Sequence, residues 1–368
     1  MNQIDVDTLR TWLETGHPVT VVDVRPAADH SEWAVPGSIH VDAYDALKAG
    51  DRHALDVLAL PDDVPVVTIC GAGKVSLTAA EQLRERGLQA LSLAGGMRAW
   101  SLAWNVAEVP GLAAGGARVF QVRRTGKGCL SYLIGSNGEA AVIDAALDPT
   151  VYHNLAEQYG WRITAVIDTH IHADHLSRAR SLADQTGATL YLPAQQRKTF
   201  PFTPLHDGAS VPIGDSRLTA LHTAGHTPES TSYLLDDTMI FTGDTLFLAA
   251  VGRPDLHGKP DEAAAHARVL YASLQRLLRL PPATLVLPGH TSAPVAFDGK
   301  PIGATLAEVQ AQAQLLHLDE SAFVSALLQR FPPTPPNHQQ IVALNEAGAL
   351  PATDVTELEA GANRCAVG

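Results

Sequence analysis

Between Ile163 and Gly187 the chain passes from an apolar run, ITAVIDT, through His170-Ile171-His172-Ala173-Asp174-His175 into HLSRARSLADQTG, a helix-like stretch stopped near Gly187. No other segment constrains the fold as tightly. Imidazoles at i and i+2 on a tight strand-to-helix loop can converge on one cation. With 16 histidines in 368 residues, such a register seldom arises by chance. Surface histidines at a helix start are the bland alternative. The pattern continues downstream, where RLTALHTAGH places His226 beyond a strand, TMIFTGD places Asp244 beyond another, and ATLVLPGH places His290 beyond a third. Taken singly, each of these three is unremarkable. Taken together, four strand ends that each deliver a ligand type require a scaffold that gathers those ends at one edge.

Residues 1–105 have a different rhythm. VTVVDV (Val19–Val24), VPVVTIC (Val64–Cys70) and LQALSL (Leu88–Leu93) read as buried strands, and Ser76–Gly87 reads as a helix. Strands alternating with helices predict a parallel sheet covered on both faces. EVPGLAAGGA (Glu108–Ala117) lacks periodicity, so residues 106–117 are expected to be a linker. From Arg118 the segments ARVFQVRR, CLSYLIG and EAAVIDA predict a β-rich opening, and mixed α/β character runs to about residue 300. The stretch 301–368 reads as an extension with helices over Thr305–Leu318 and Glu320–Phe331.

Composition excludes several classes. The net charge of −13 has the wrong sign for a nucleic-acid binder. No run approaches the roughly 18 apolar residues of a membrane span. MNQIDVDTLR has no apolar core of a secretion signal, and Cys70, Cys129 and Cys365 are odd in number and far apart. The expectation is a cytoplasmic protein with neither nucleic-acid nor membrane partners.

His170 through His175, His226, Asp244 and His290 match the HxHxDH, His, GD and GH pattern of the metallo-β-lactamase superfamily, which this chain resembles over about 112–300. The resemblance implies an αβ/βα four-layer sandwich with a metal site at one edge of its sheets. Two metal readings follow. A pair of zinc ions would use His170, His172 and His226 for one, Asp174, His175 and His290 for the other, and Asp244 as bridge. This is the arrangement of a glyoxalase II-like thioesterase. A single Fe(II) needs only two histidines and a carboxylate, leaving positions for substrate and O2. FTGDTLFLAAVGRPDL (Phe241–Leu256), THIHADH and ANRC resemble the persulfide dioxygenase branch, which implies iron on His170, His226 and Asp244. By the same resemblance Arg253 grips a substrate carboxylate, with Asp255 behind it, although the two could instead form a local salt bridge. One departure, HTAGHTPEST with Ala224 and Glu229–Ser230, puts the rim of the second metal site in question.

Cys70 follows a strand and opens CGAGKVSLTAAEQL ahead of a helix, where backbone N–H groups and the helix dipole favour a thiolate. VVDVRPAADHSEWAVPGSIHVD, this loop and LAGGMRAW resemble a single rhodanese domain, a doubly wound parallel α/β fold, over about 1–105. The resemblance implies a persulfide on Cys70, with Lys74 and Ser76 completing the loop. Val75 stands where the loop usually has arginine, and Ala34 where a histidine is usual, so a docking-only domain is the alternative. Cys129 reads as a small core hydrophobe; Cys365 is read either as packing or as a redox-accessible thiol.

The combined expectation is a fusion that oxidises a glutathione-type persulfide with O2 to sulfite at Fe(II) and moves sulfur through Cys70. The alternatives are the two-zinc hydrolase and a sulfur carrier or persulfide sensor. The expected partners are the persulfide or its thiol, O2, sulfite and, as the commonest assembly of soluble enzymes, a second copy in a homodimer.

Overall fold

The computed structural model describes residues 2–111, 115–256, 262–335, 337–352, 354–359, 361 and 363–368. Near the amino terminus five parallel strands lie in the order Gln3–Ile4, Ala90–Leu93, Val66–Ile69, Thr20–Asp23 and Ile39–His40. Valine and isoleucine dominate the two central strands because helices cover both faces. Val22, Val66, Ala79 and Leu83 pack on one side, and Leu9, Val21, Ile69 and Trp100 on the other. This is the rhodanese-like, doubly wound arrangement.

The rest of the chain builds two mixed sheets packed face to face. Seven strands run in the order Thr203–Leu205, Thr189–Pro193, Arg162–Ile167, Glu139–Ile143, Cys129–Ser136, Arg118–Arg124 and Asn105–Val109. The opposing six are Ser210–Ile213, Ser216–His222, Thr231–Leu235, Met239–Gly243, Leu285–Pro288 and Ala304–Thr305. Between them Tyr132, Ile143, Ile167, Tyr233, Phe241 and Leu287 form one dry core, with Tyr132 edge-on to Phe241 at 4.8 Å. Fully burying each such side chain contributes roughly 1.5–3 kcal/mol. Helices Pro149–Gln158 and Ala179–Thr186 cover the outer face of the first sheet. Ala263–Leu277, Leu306–Gln312 and Glu320–Leu328 cover that of the second. The four layers are those of the metallo-β-lactamase fold. Among the described residues, no helix is long and apolar enough to cross a membrane.

Two boundaries differ from the sequence reading. The expected linker 106–117 is shorter: Asn105–Val109 is an edge strand, antiparallel to Arg118–Arg124, because its alternate residues Asn105, Ala107 and Val109 are buried. Residues 112–114 of that linker lie outside the described residues. The helix expected over Thr305–Leu318 breaks at Ala313, whose ψ of 91° ends Leu306–Gln312 before a 3₁₀ turn, Gln314–His317. The extension after residue 300 is woven into the domain, since Ala304–Thr305 pairs with Leu285–Val286, and Ala366–Val367 with Val251–Gly252.

Gly225 precedes His226 at φ +137°, and a Cβ there would lie 2.4 Å from Leu270 Cα in the covering helix. Gly225→Ala is therefore expected to cost about 2–3 kcal/mol, read as a lowered thermal midpoint. A midpoint equal to wild type would show that helix and loop are not in fixed contact.

Candidate metal centre and sulfur-transfer loop

Every expected ligand lies at a strand end on the shared edge of the two sheets, and all are buried. His170 through His175 follow Arg162–Ile167, and a helix begins only at Ala179, so the loop is longer than its sequence suggests. His226 follows Ser216–His222, Asp244 follows Met239–Gly243, and His290 follows Leu285–Pro288.

The seven residues divide into three groups. His170, His226 and Asp244 gather, with His170 Nε2 and His226 Nε2 at 3.8 and 3.7 Å from Asp244 Oδ2. Asp174, His175 and His290 gather beside them together with Cys129. His172 leaves both groups: its Nε2 lies 3.2 Å from Asp144 Oδ1 and 4.0 Å from Asp168 Oδ1.

The first group suits a metal ion. His170 Nε2 and Asp244 Oδ2 are buried without a hydrogen-bond partner. Ligand atoms sharing a cation stand about 3–3.8 Å apart, the spacing found here. Burial, with His172 adding to it, holds His170 well below the ordinary histidine value, so its ring is neutral as coordination requires. Neighbouring groups orient the ligands. His226 Nδ1 donates to the Arg253 carbonyl at 2.8 Å, and Thr169 Oγ1 meets His170 Nδ1 at 2.9 Å. His290 Nδ1 donates to Asp244 Oδ1 at 2.5 Å. In the second group, burial opposes the charge on His175, yet the Asp174 carboxylate outweighs it and lifts the ring to about 10. Burial and Asp174 likewise act to raise the Cys129 thiol, but His175 and His290 prevail and bring it to about 6.

Arg253 is fully buried, and its fork closes on Asp255, with Nε–Oδ1 at 2.8 Å and Nη2–Oδ2 at 2.7 Å. Its Nη1 reaches the carbonyls of Pro333 and Arg364. The guanidinium thus ties the GRPD segment to the tail, and its carbonyl aims His226. A cavity of about 170 Å³ adjoins His290, lined by Phe247, Leu248, Ala250, Ser292 and Asn363. A larger cleft of about 890 Å³, between Arg10, Trp104, Phe120 and Tyr159, contains none of the ligand residues and not Cys70. The smaller cavity is the one that touches the chemistry.

Several residues of the centre escaped the sequence reading. Cys129 is buried in its strand as expected, but its Sγ faces Asp174 and His175. Glu229, one of the departures noted above, accepts from Ile171 N at 2.9 Å and braces the histidine loop. The tail supplies three more. Asn345 donates to the carbonyls of His172 and His175 and accepts from Ser177 N. Asn363 donates to Asp174 Oδ2. Glu359 accepts from Leu176 N and pairs with Arg124 and Arg178.

In the first domain Cys70 sits buried just past Val66–Ile69 and receives a hydrogen bond from Ser76 Oγ at 3.3 Å. Lys74, exposed, stands at the start of helix Val75–Glu85. The glycines of LAGGMRAW brace the loop: Met97 N and Arg98 N donate to the Cys70 and Gly71 carbonyls, and a Cβ on Gly96 would lie 2.1 Å from Cys70 O. Trp33 of this domain donates to Thr125 O, four residues before Cys129. Arg98 and Arg364 bridge to Glu357 and Glu32 and so join loop, tail and metal domain.

The comparisons agree with this architecture. Residues 124–290 match the family model of the metallo-beta-lactamase superfamily, and residues 5–103 that of the rhodanese-like domain. Hydroxyacylglutathione hydrolases of Maricaulis maris and Pseudomonas entomophila are each 34% identical to the chain, over 157 and 158 residues, 42% of this chain. The chain spans 58% of the length of these curated relatives. Among solved structures, a metallo-beta-lactamase from Staphylococcus aureus superposes with a TM-score of 0.58 at 28% identity, covering 64% of this chain and 73% of that one. ETHE1 from Myxococcus xanthus superposes with a TM-score of 0.55 at 29% identity, covering 62% of this chain and 98% of that one.

The Glu359 carboxyl is held below its ordinary value of 4.5: burial opposes this, but Arg124, then Arg178, prevail. A depressed acid contributes stability that is complete above its unfolded value and fades as pH falls through the folded one. Glu359→Gln is expected to lose about 3–5 kcal/mol near neutrality, because it leaves buried guanidinium charge unpaired. The gap to wild type should narrow below about pH 4.5. Denaturant titrations at several pH values measure both effects; a gap constant across pH would contradict the assignment.

Proposed function

From a chain that joins a rhodanese-like domain to a metallo-beta-lactamase superfamily domain, we propose a persulfide dioxygenase coupled to sulfur transfer. The observation that carries this reading is the separation of the ligands. His170, His226 and Asp244 form a two-histidine, one-carboxylate set, while His172, needed for a three-histidine zinc site, is turned onto Asp144. Such a set with open positions suits Fe(II), which when bound supplies the activation of O2. The likeness to ETHE1 and the GRPD segment support the same branch.

The overall reaction takes a thiol persulfide, O2 and water to the free thiol, sulfite and two protons; the terminal sulfur is oxidised and O2 reduced. The chain's own groups orient and seal. The Arg253 carbonyl fixes the tautomer of His226, His290 fixes the Asp244 carboxylate, and the cavity beside His290 admits a thiol-sized end between Phe247 and Asn363. In the first domain Cys70 carries sulfane sulfur toward a thiol or sulfite, with Ser76 donating to its sulfur. Within one chain the shared intermediate meets the second site at raised effective concentration.

A hydrolytic reading is favoured by one observation. Asp174, His175 and His290 do gather beside the first group, as a two-zinc thioesterase requires, and the curated relatives are named hydroxyacylglutathione hydrolases. Oxygen uptake by iron-loaded protein with glutathione persulfide decides between them. Wild type should consume O2 and release sulfite, and His226→Ala should reduce the rate by at least a hundredfold. Cys70→Ser should retain uptake and lose thiosulfate:thiol sulfur transfer. No uptake by wild type, together with thioester hydrolysis by protein holding two zincs and no iron, would establish the hydrolase instead.

A further inference from the structure

We propose that Trp33 of the first domain is a positioning residue for the metal centre, acting through the turn at residues 124–128 and the loop that carries His290. The proposal rests on His170, His226 and Asp244 as metal ligands, whichever reaction they serve. The turn, RTGKG, is held against the first domain by backbone and side chain. Trp33 Nε1 donates to Thr125 O at 3.2 Å, Gly126 N to Ala103 O at 3.3 Å, and Arg124 Nε to Ser101 O at 2.6 Å. Both glycines of the turn answer to this packing. A Cβ on Gly126 would collide with the Trp100 carbonyl, and one on Gly128, at φ +94°, would lie 2.9 Å from Trp33 Cη2. Trp33 is itself fixed from behind. The buried Arg25, paired with Asp23 at 2.7 Å, donates to Trp33 O at 2.6 Å.

The turn passes its placement to the centre. Thr291 N donates to Gly128 O at 2.9 Å and Leu130 N to Gly289 O at 2.8 Å, so the chain leaving the turn clasps His290 on both sides. His290 Nδ1 then donates to Asp244 Oδ1 and sets the carboxylate whose Oδ2 faces His170 and His226. The same loop meets the first domain a second time. Residues 291–303 contain no helix or strand. A loop of this length draws its order from what it packs against. Phe297 packs on the apolar core of the first domain, with its ring 6.1 Å from that of Trp100, and Asn105 Nδ2 donates to Ala296 O at 3.1 Å. The segment that follows His290 is thus pinned at both ends. Tryptophan suits its end because a rigid ring brings apolar bulk and one donor together. Phenylalanine there would keep the packing on Gly128 and lose the bond to Thr125; alanine would lose both. Groups that orient metal ligands from behind are worth roughly 10–100-fold in metal affinity. Trp33 acts at that level through another residue, and so its effect belongs at the lower end.

Cobalt(II) titration of the full, chelator-treated chain tests this, because the visible spectrum of bound cobalt reports its coordination geometry. Trp33→Ala should weaken the first cobalt equivalent about tenfold and change its spectrum. Trp33→Phe, the milder change, reads the Thr125 bond alone and should fall between wild type and Trp33→Ala. Phe297→Ala, at the second anchor, should weaken binding in the same direction. Leu83→Ala opens a cavity on the opposite face of the first domain's sheet, so it lowers stability without touching the turn. It should bind cobalt as wild type does. Affinity and spectrum unchanged in both Trp33 variants would overturn the proposal. An equal loss in Leu83→Ala would overturn it too, since the effect would then follow stability alone. No turnover is measured here, so the two readings fail separately. Absent O2 uptake would strike the dioxygenase and spare the role of Trp33, and unaltered cobalt binding would do the reverse.

Discussion

The hydrogen bond from His290 to Asp244 is the contact on which the rest of the centre depends. It links the ends of two parallel neighbouring strands, where Gly243 pairs with Pro288, and it fixes two ligands at once. The backbone leaves it no slack: a Cβ on Gly289 would lie 2.8 Å from Asp244 Oδ1, and one on Gly243 would lie 2.5 Å from Thr169 Oγ1. Around this bond the protein buries carboxylates and imidazoles that water would otherwise solvate, at several kcal/mol per charge. Hydrogen bonds with Asn345, Asn363, Glu229 and Thr169 meet part of that cost, and His170 Nε2 and Asp244 Oδ2, left without a hydrogen bond, lie 3.8 Å apart.

How much of this was legible in the sequence follows from the range of each interaction. Strand-end ligands announce themselves because the residue type and its strand are neighbours in the chain, so His170, His226, Asp244 and His290 were found, as was Cys70 at its strand–helix junction. The partition of the histidine loop was not legible. Which way His172 turns depends on Asp144, whose backbone at φ +54° is set by another strand end. Cys129 looked like core because its strand is buried throughout; only the pairing with residue 290 gives it a chemical neighbour. The pairing of Arg253 with Asp255 was open in the sequence as a local salt bridge, but its hold on the tail was not, since the Pro333 and Arg364 carbonyls lie eighty and more residues away. The fold was clearer than the site, because hydrophobic periodicity is local and ligand orientation is not.

The two domains meet through specific contacts rather than a bare tether. Trp33 touches the turn that leads into Cys129, Asn105 at the start of the seven-stranded sheet's edge strand donates to Ala296 O, and the tail pairs with the first domain through Glu357 and Arg364. The Cys70 loop and the ligand cluster at the sheet edge are therefore held against one another by these contacts.

The clamps on the histidine loop come late in the chain. Asn345, Glu359 and Asn363 secure residues 172–178, which are made long before them. During synthesis both sheets can close while the ligand loop still waits for its braces. The braces of the ligand loop are thus made after every strand of the two facing sheets, so the order of the chain sets the scaffold before the clamps that hold its ligands.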